Sequence, residues 1–164
     1  MSIICSRNPV EKTYNFSGFT SLDISHGCSV VVQQSDTYSV SVTIDDNLAQ
    51  YLDVHHNGST VSVGLQDMDG YSTSKFKAVL KCPELTGCMG SDGSKISAEP
   101  FTTNKNVSLS LSGGSSFNGN WSCGNLSAMF SGGSTADLIG DCKYLTLDFS
   151  GGSVGHMVVI TKST

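Results

Sequence analysis

Polar and apolar residues alternate along much of this chain with a period of two, the spacing of a half-buried β-strand. The alternation is clearest in Val40-Ser41-Val42-Thr43-Ile44 and Val61-Ser62-Val63-Gly64-Leu65. It predicts strands over 19–25, 28–34, 38–44, 51–55, 60–65 and 75–81 in the first half. Gly27, Ser35-Asp36 and Asn57-Gly58 separate them as turn signals, Asn57-Gly58 being a strong hairpin signal. The one helical suggestion is a single turn over 46–51.

The second half repeats itself. Ser112-Gly113-Gly114-Ser115, Ser131-Gly132-Gly133-Ser134 and Ser150-Gly151-Gly152-Ser153 recur at a spacing of 19, and Ser91-Asp92-Gly93-Ser94 begins 21 residues before the first. A five-residue strand precedes each of the three later copies, with Val107, Leu109 and Leu111 aligned to Leu126, Ala128 and Phe130 and to Leu145, Leu147 and Phe149. Paired glycines accept the positive φ of a tight corner, and the flanking serines can bond local backbone. Ser112, Gly113, Gly114, Ser131, Gly132, Gly133, Ser150, Gly151 and Gly152 are therefore expected to be structural corners. A strand, a glycine corner and a second apolar segment every 19–21 residues predict a β-solenoid over 85–164, preceded by irregular β structure over 10–84 in a single domain of 1–164. The calcium-binding form of such a repeat needs a GGxGxD motif, which Ser116, Thr135 and Val154 break.

Composition narrows the function. The chain has 164 residues, 18 of them Gly, is 38% hydrophobic and only 14% charged. Nine Lys and Arg against fourteen acids leave a net charge of -5, which makes no basic face for nucleic acid or an anionic membrane. No run of 18 apolar residues offers a membrane-spanning helix. Residues 1–7 have neither the basic nor the apolar region of an intact signal peptide, so the expectation is an internal protein or a mature exported one.

Candidate chemistry is sparse. His26, His55, His56 and His156 form no ligand pattern, the adjacent pair pointing to opposite strand faces, and the six cysteines contain no CxxC pair. No metal and no cofactor are expected. Asp148 is the only carboxylate on the outward strand positions of the repeats, while Asp137 and Asp141 read as solvated turn acids, so no catalytic residue is assigned. The Ser-Gly-Gly-Ser segments lack the strand-to-helix turn of a nucleophile elbow and the Lys of a phosphate loop. Cys123 and Cys142 align 19 apart and have two open readings: a disulfide stapling adjacent turns, or a buried thiol ladder. Trp121, with Phe117, is an aromatic bulge read as a ligand platform, or else as a core filler or an end cap; together with Asp148 the two make the candidate ligand face.

Several segments in order resemble the bacterial auto-transporter adhesin head family, the head GIN domain. They are Phe19-Thr20-Ser21-Leu22-Asp23-Ile24-Ser25, Val30-Val31-Val32-Gln33-Gln34, Asp45-Asp46-Asn47-Leu48, Thr60-Val61-Ser62-Val63, Cys82-Pro83-Glu84-Leu85 and the repeated corners. The resemblance implies a right-handed parallel β-helix, export to the cell surface and no catalytic residues. The expected function is non-enzymatic: an adhesin-like surface protein recognising glycans or another protein through an extended polar face. Two alternatives stand beside it. One is a self-assembling building block, made inside the cell and growing by end-to-end stacking as a homo-oligomer, because the apolar last strand over 156–161 is a weakly defended edge. The other is an atypical polysaccharide-cleaving enzyme dependent on Asp148.

Overall fold

Fifteen strands and one short 3-10 helix make up the computed structural model, which describes residues 3–66, 70–73 and 75–161. In chain order the strands are β1 (Pro9–Tyr14), β2 (Ser21–Ile24), β3 (Ser29–Gln34), β4 (Ser39–Asp45), β5 (Leu52–Asn57), β6 (Thr60–Leu65), β7 (Phe76–Cys82) and β8 (Gly87–Gly90). There follow β9 (Lys95–Thr102), β10 (Val107–Leu111), β11 (Ser116–Ser122), β12 (Leu126–Phe130), β13 (Thr135–Cys142), β14 (Leu145–Phe149) and β15 (Val154–Thr161). The helix, Asp46–Tyr51, lies between β4 and β5 and buries Leu48.

The strands form two open sheets. One has eight strands in the order β1-β4-β7-β3-β9-β11-β13-β15, the other seven in the order β14-β12-β10-β8-β2-β6-β5. A single apolar cluster joins them, drawing Leu22, Leu109 and Phe130 from one and Val30, Leu80 and Leu138 from the other. Alternation does the sorting: Val107, Leu109 and Leu111 are buried while Ser108 is exposed, so the strand puts one face on the core and the other in water.

This arrangement corrects the expectation of a right-handed parallel β-helix. Both sheets are mixed, because β1 pairs antiparallel with β4, β4 with β7, and β5 with β6. The Asn57-Gly58 turn, with Gly58 at φ +62°, reverses the chain between β5 and β6 and forces that antiparallel pair. Strand order also departs from chain order, β3 lying between β7 and β9, and β2 between β8 and β6. What misled the periodicity argument is local: β10, β12 and β14 pair in parallel with residues 19 apart in register, as do β11, β13 and β15.

The glycine corners connect the two sheets. Gly113, Gly132 and Gly151 all have φ near +60°, and Gly132 sits so close to the preceding corner that a Cβ on it would lie 3.0 Å from the Gly113 backbone nitrogen. Backbone rests on backbone there, and only glycine fits. In the corner before them Asp92 takes the left-handed conformation, which Asp tolerates better than most residues. Buried serines line the inner side: Ser94 Oγ lies 3.2 Å from Ser115 Oγ, and Ser134 Oγ donates to the Ser131 carbonyl at 2.7 Å.

Candidate binding face

The outer surface of the eight-stranded sheet carries side chains aligned in rows, short and polar for the most part on β9, β11 and β13. Through the strand registers Thr13, Ser41, Val79, Val31, Ser97, Asn118, Asp137 and His156 stand side by side. A second row, two residues along each strand, holds Glu11, Thr43, Lys77, Ser29, Lys95, Ser116, Thr135 and Val154. Parallel neighbours repeat every ~4.8 Å, so Ser97, Asn118, Asp137 and His156, on β9, β11, β13 and β15, form a ladder of donors and acceptors at near-constant spacing.

The two rows meet over a shallow depression of about 360 Å³. It is lined by Val30, Val31, Ile96 and Phe117 and by Ser29, Lys95, Ser97, Ser116, Asn118, Thr135 and Asp137. Its chemistry is mixed: apolar surface from the valines, Ile96 and Phe117 lies among hydroxyls, one amide, one ammonium and one carboxylate. Gln33 extends the polar surface by donating to Glu99 Oε1 at 3.1 Å.

The residues singled out from sequence lie elsewhere. Trp121 and Phe117 are in the core, fully or almost fully buried, with rings stacked at a centroid distance of 5.7 Å. A Cβ on Gly140, the register neighbour of Trp121, would run into the Trp121 carbonyl, so the strand beside the indole has to be glycine there. Asp148 is exposed, but on the opposite sheet, where a hollow of about 240 Å³ places it with Met129, Ser110 and Ser150. The nearest carboxylate in its row is Asp23, four strand spacings or ~19 Å away, beyond the reach of paired glycosidic catalysis. Asp137 and Asp141 are four residues apart on β13, ~13 Å along the strand, and Asp141 accepts the Ser122 hydroxyl at 2.6 Å. The corner residues Ser112 to Gly114, Ser131 to Gly133 and Ser150 to Gly152 sit in the turns that follow β10, β12 and β14.

All six cysteines are free thiols. Cys123 follows β11 beside the end of β13, its N–H donating to the Asp141 carbonyl, next to Cys142. Burial pushes the Cys123 thiol up to about 11, with Cys142 and Asp141 adding to the effect, and burial raises Cys142 as well. The histidines are dispersed. His55 Nδ1 is 2.9 Å from Asp53 Oδ1, whereas His56, on the other face of β5, packs against Phe16 and Phe19. His26 holds a left-handed turn, its Nδ1 accepting from the Leu65 N–H at 3.2 Å. Among the described residues no three His, Cys, Asp or Glu are grouped to hold a metal ion.

The strands that precede the corners do not carry the residues of the expected polar face. The signal is present in the strands that follow them: Ser97, Asn118, Asp137 and His156 are spaced by 21, 19 and 19.

By its fold the chain is an all-β protein of two open, mixed sheets. The family model described as "Putative auto-transporter adhesin, head GIN domain" matches residues 18–158, and the chain belongs to that family. Solved structures share the fold at low sequence identity. One titled a putative lipid binding protein, from Parabacteroides distasonis ATCC 8503, is 14% identical with a TM-score of 0.64, over 99% of this chain and 100% of its own. A putative adhesin from Bacteroides fragilis NCTC 9343 is 16% identical with a TM-score of 0.63, over 97% and 100%. Another, from Parabacteroides merdae ATCC 43184, is 13% identical with a TM-score of 0.54, over 99% of each chain. No curated protein matches the chain.

Proposed function

We propose that this chain is a non-enzymatic binding domain, exported to the cell surface, that holds a glycan against the outer face of its eight-stranded sheet. The observation that carries the reading is the ladder Ser97, Asn118, Asp137 and His156 above the depression. A saccharide presents hydroxyls that both donate and accept, and a row of hydroxyl, amide and carboxylate groups meets them without a demanding charge pattern. Each such bond contributes about 1 kcal/mol, so affinity comes from several in parallel. Membership in the adhesin head family supports both the surface location and the binding role.

The test is a glycan array followed by calorimetry on any polysaccharide that binds. Asn118→Ala and Ser97→Ala, on the exposed face, should each weaken binding by ~3- to 10-fold with unchanged melting temperature. Unaltered affinity in both variants would remove the face from the interaction. Release of reducing ends during incubation would overturn the non-enzymatic reading.

A further inference from the structure

The two ends of the sheets differ. At the N-terminal end the helix Asp46–Tyr51 sits over the core with Leu48 beneath it, and residues 4–8 tie onto that helix. The sheet edges there are β1, carrying Pro9, Glu11 and Lys12, and β5, carrying Asp53 and His55. Proline and charges on an edge strand resist pairing with another chain.

Among the described residues the other end has no such guard. Its edges are β14 and β15, whose only ionisable side chains are Asp148 and His156. Core-facing positions lie open: Leu147 is 45% and Phe149 38% exposed, although their register neighbours Ala128 and Phe130 are at most 1% exposed. Along β15, Val158 and Ile160 are more than 60% exposed. Each edge also has one side of its backbone unpaired in the ladder, a row of donors and acceptors on which another strand can pair.

We propose that this end is an interface with a second copy of the same chain, related by a two-fold axis, β14 pairing with β14 and β15 with β15 in antiparallel fashion. Because the opposite end is guarded, the assembly closes at two copies instead of growing into a fibre. Charge allows it. Antiparallel pairing centred on Leu147 sets Asp148 opposite Thr146 of the second copy, so the carboxylates do not meet. Area allows it too. An eight-residue β15 ~26 Å long and a five-residue β14 ~17 Å long, in sheets ~10 Å apart plus their outer side chains, cover ~430 Å² per copy and ~900 Å² in total. That is the size of a weak, reversible interface, one that forms as concentration rises. The axis runs perpendicular to the sheets, so both polar faces end on the same side of the pair and double its length.

The experiment is sedimentation equilibrium on the whole reduced chain from ~1 to ~500 μM, with far-UV circular dichroism to check folding. The mass should rise from 17.2 kDa to twice that value. Val158→Lys and Ile160→Lys, solvent-exposed in the single copy, should each raise the dissociation constant at least ~10-fold while keeping the native spectrum. Glu11→Lys at the guarded edge should leave it unchanged. A constant mass of one copy at every concentration overturns the proposal, as does growth beyond two copies, or dimerisation that both lysine variants leave intact.

Discussion

Replacing Trp121 distinguishes a core residue from a ligand platform, and the structure supplies the size of the effect. The indole is fully buried and stacked on Phe117. Truncation to alanine leaves a large cavity and loses the ring pair, at a cost of about 4 kcal/mol. Trp121→Phe is a different case. The indole Nε1 finds no hydrogen-bond acceptor among the described residues. Phenylalanine abolishes that buried donor, whose desolvation costs about 1–3 kcal/mol, while a cavity of ~40 Å³ costs about 1 kcal/mol. The two nearly cancel, so Trp121→Phe should stay within about 1 kcal/mol of the parent. Guanidinium titration followed by far-UV circular dichroism suits all three proteins, since this chain has a single Trp and both variants lose its fluorescence. The alanine midpoint should fall by about 1 M and the phenylalanine midpoint should barely move. Equal losses would show that the N–H is satisfied and that packing decides; a neutral alanine variant would mean that the ring is not in the core at all.

Two further outcomes follow from the titratable groups. Burial pushes the thiols of Cys28 and Cys82 up to about 12, Glu84 adding to the effect at Cys82, and it raises Cys88 as well. Iodoacetamide at pH 8 should therefore label half-buried Cys5 first and reach Cys28, Cys82 and Cys88 only after unfolding, as read by mass spectrometry; prompt labelling of those three would refute their burial. Hydrogen bonds from Ser6 and Asn8 hold the Asp46 carboxyl below its ordinary value, and bonds from Thr103 and Lys105 do the same for Glu84. A lowered folded pKa contributes stability that is present above the unfolded value and lost as pH falls through the folded one. Amide protection over residues 6–8, taken relative to the intrinsic exchange rate at each pH, should thus fall below about pH 4, whereas protection in β10 should not.

Strand positions in the second half were legible because each strand there carries its own local signal. The expected strands before the three later corners coincide with β10, β12 and β14, and the single helical turn at 46–51 is the 3-10 helix. Pairing was not legible, since alternation specifies which face of a strand is buried and says nothing about which strand lies beside it. Val40 and Val42 mark β4 as half-buried, yet nothing in their spacing tells that β4 lies antiparallel between β1 and β7. Phe117 and Trp121 were ambiguous for a related reason. An aromatic where the aligned residues are Ala136 and Gly140 reads as a bulge on a surface, until the small residues are seen as the room it fills.

The first and last strands stand at opposite edges of the eight-stranded sheet, ~34 Å apart across seven strand spacings. That placement has a mechanical meaning for a domain of this family. Tension between the two termini runs along the hydrogen bonds and across the strands, so the bonds load in sequence, and an edge strand peels before the next feels the force. A ligand held over Ser97 and Asn118 changes the load path. If the chain is tethered at one terminus, only the strands between tether and ligand carry tension, and those on the far side stay slack.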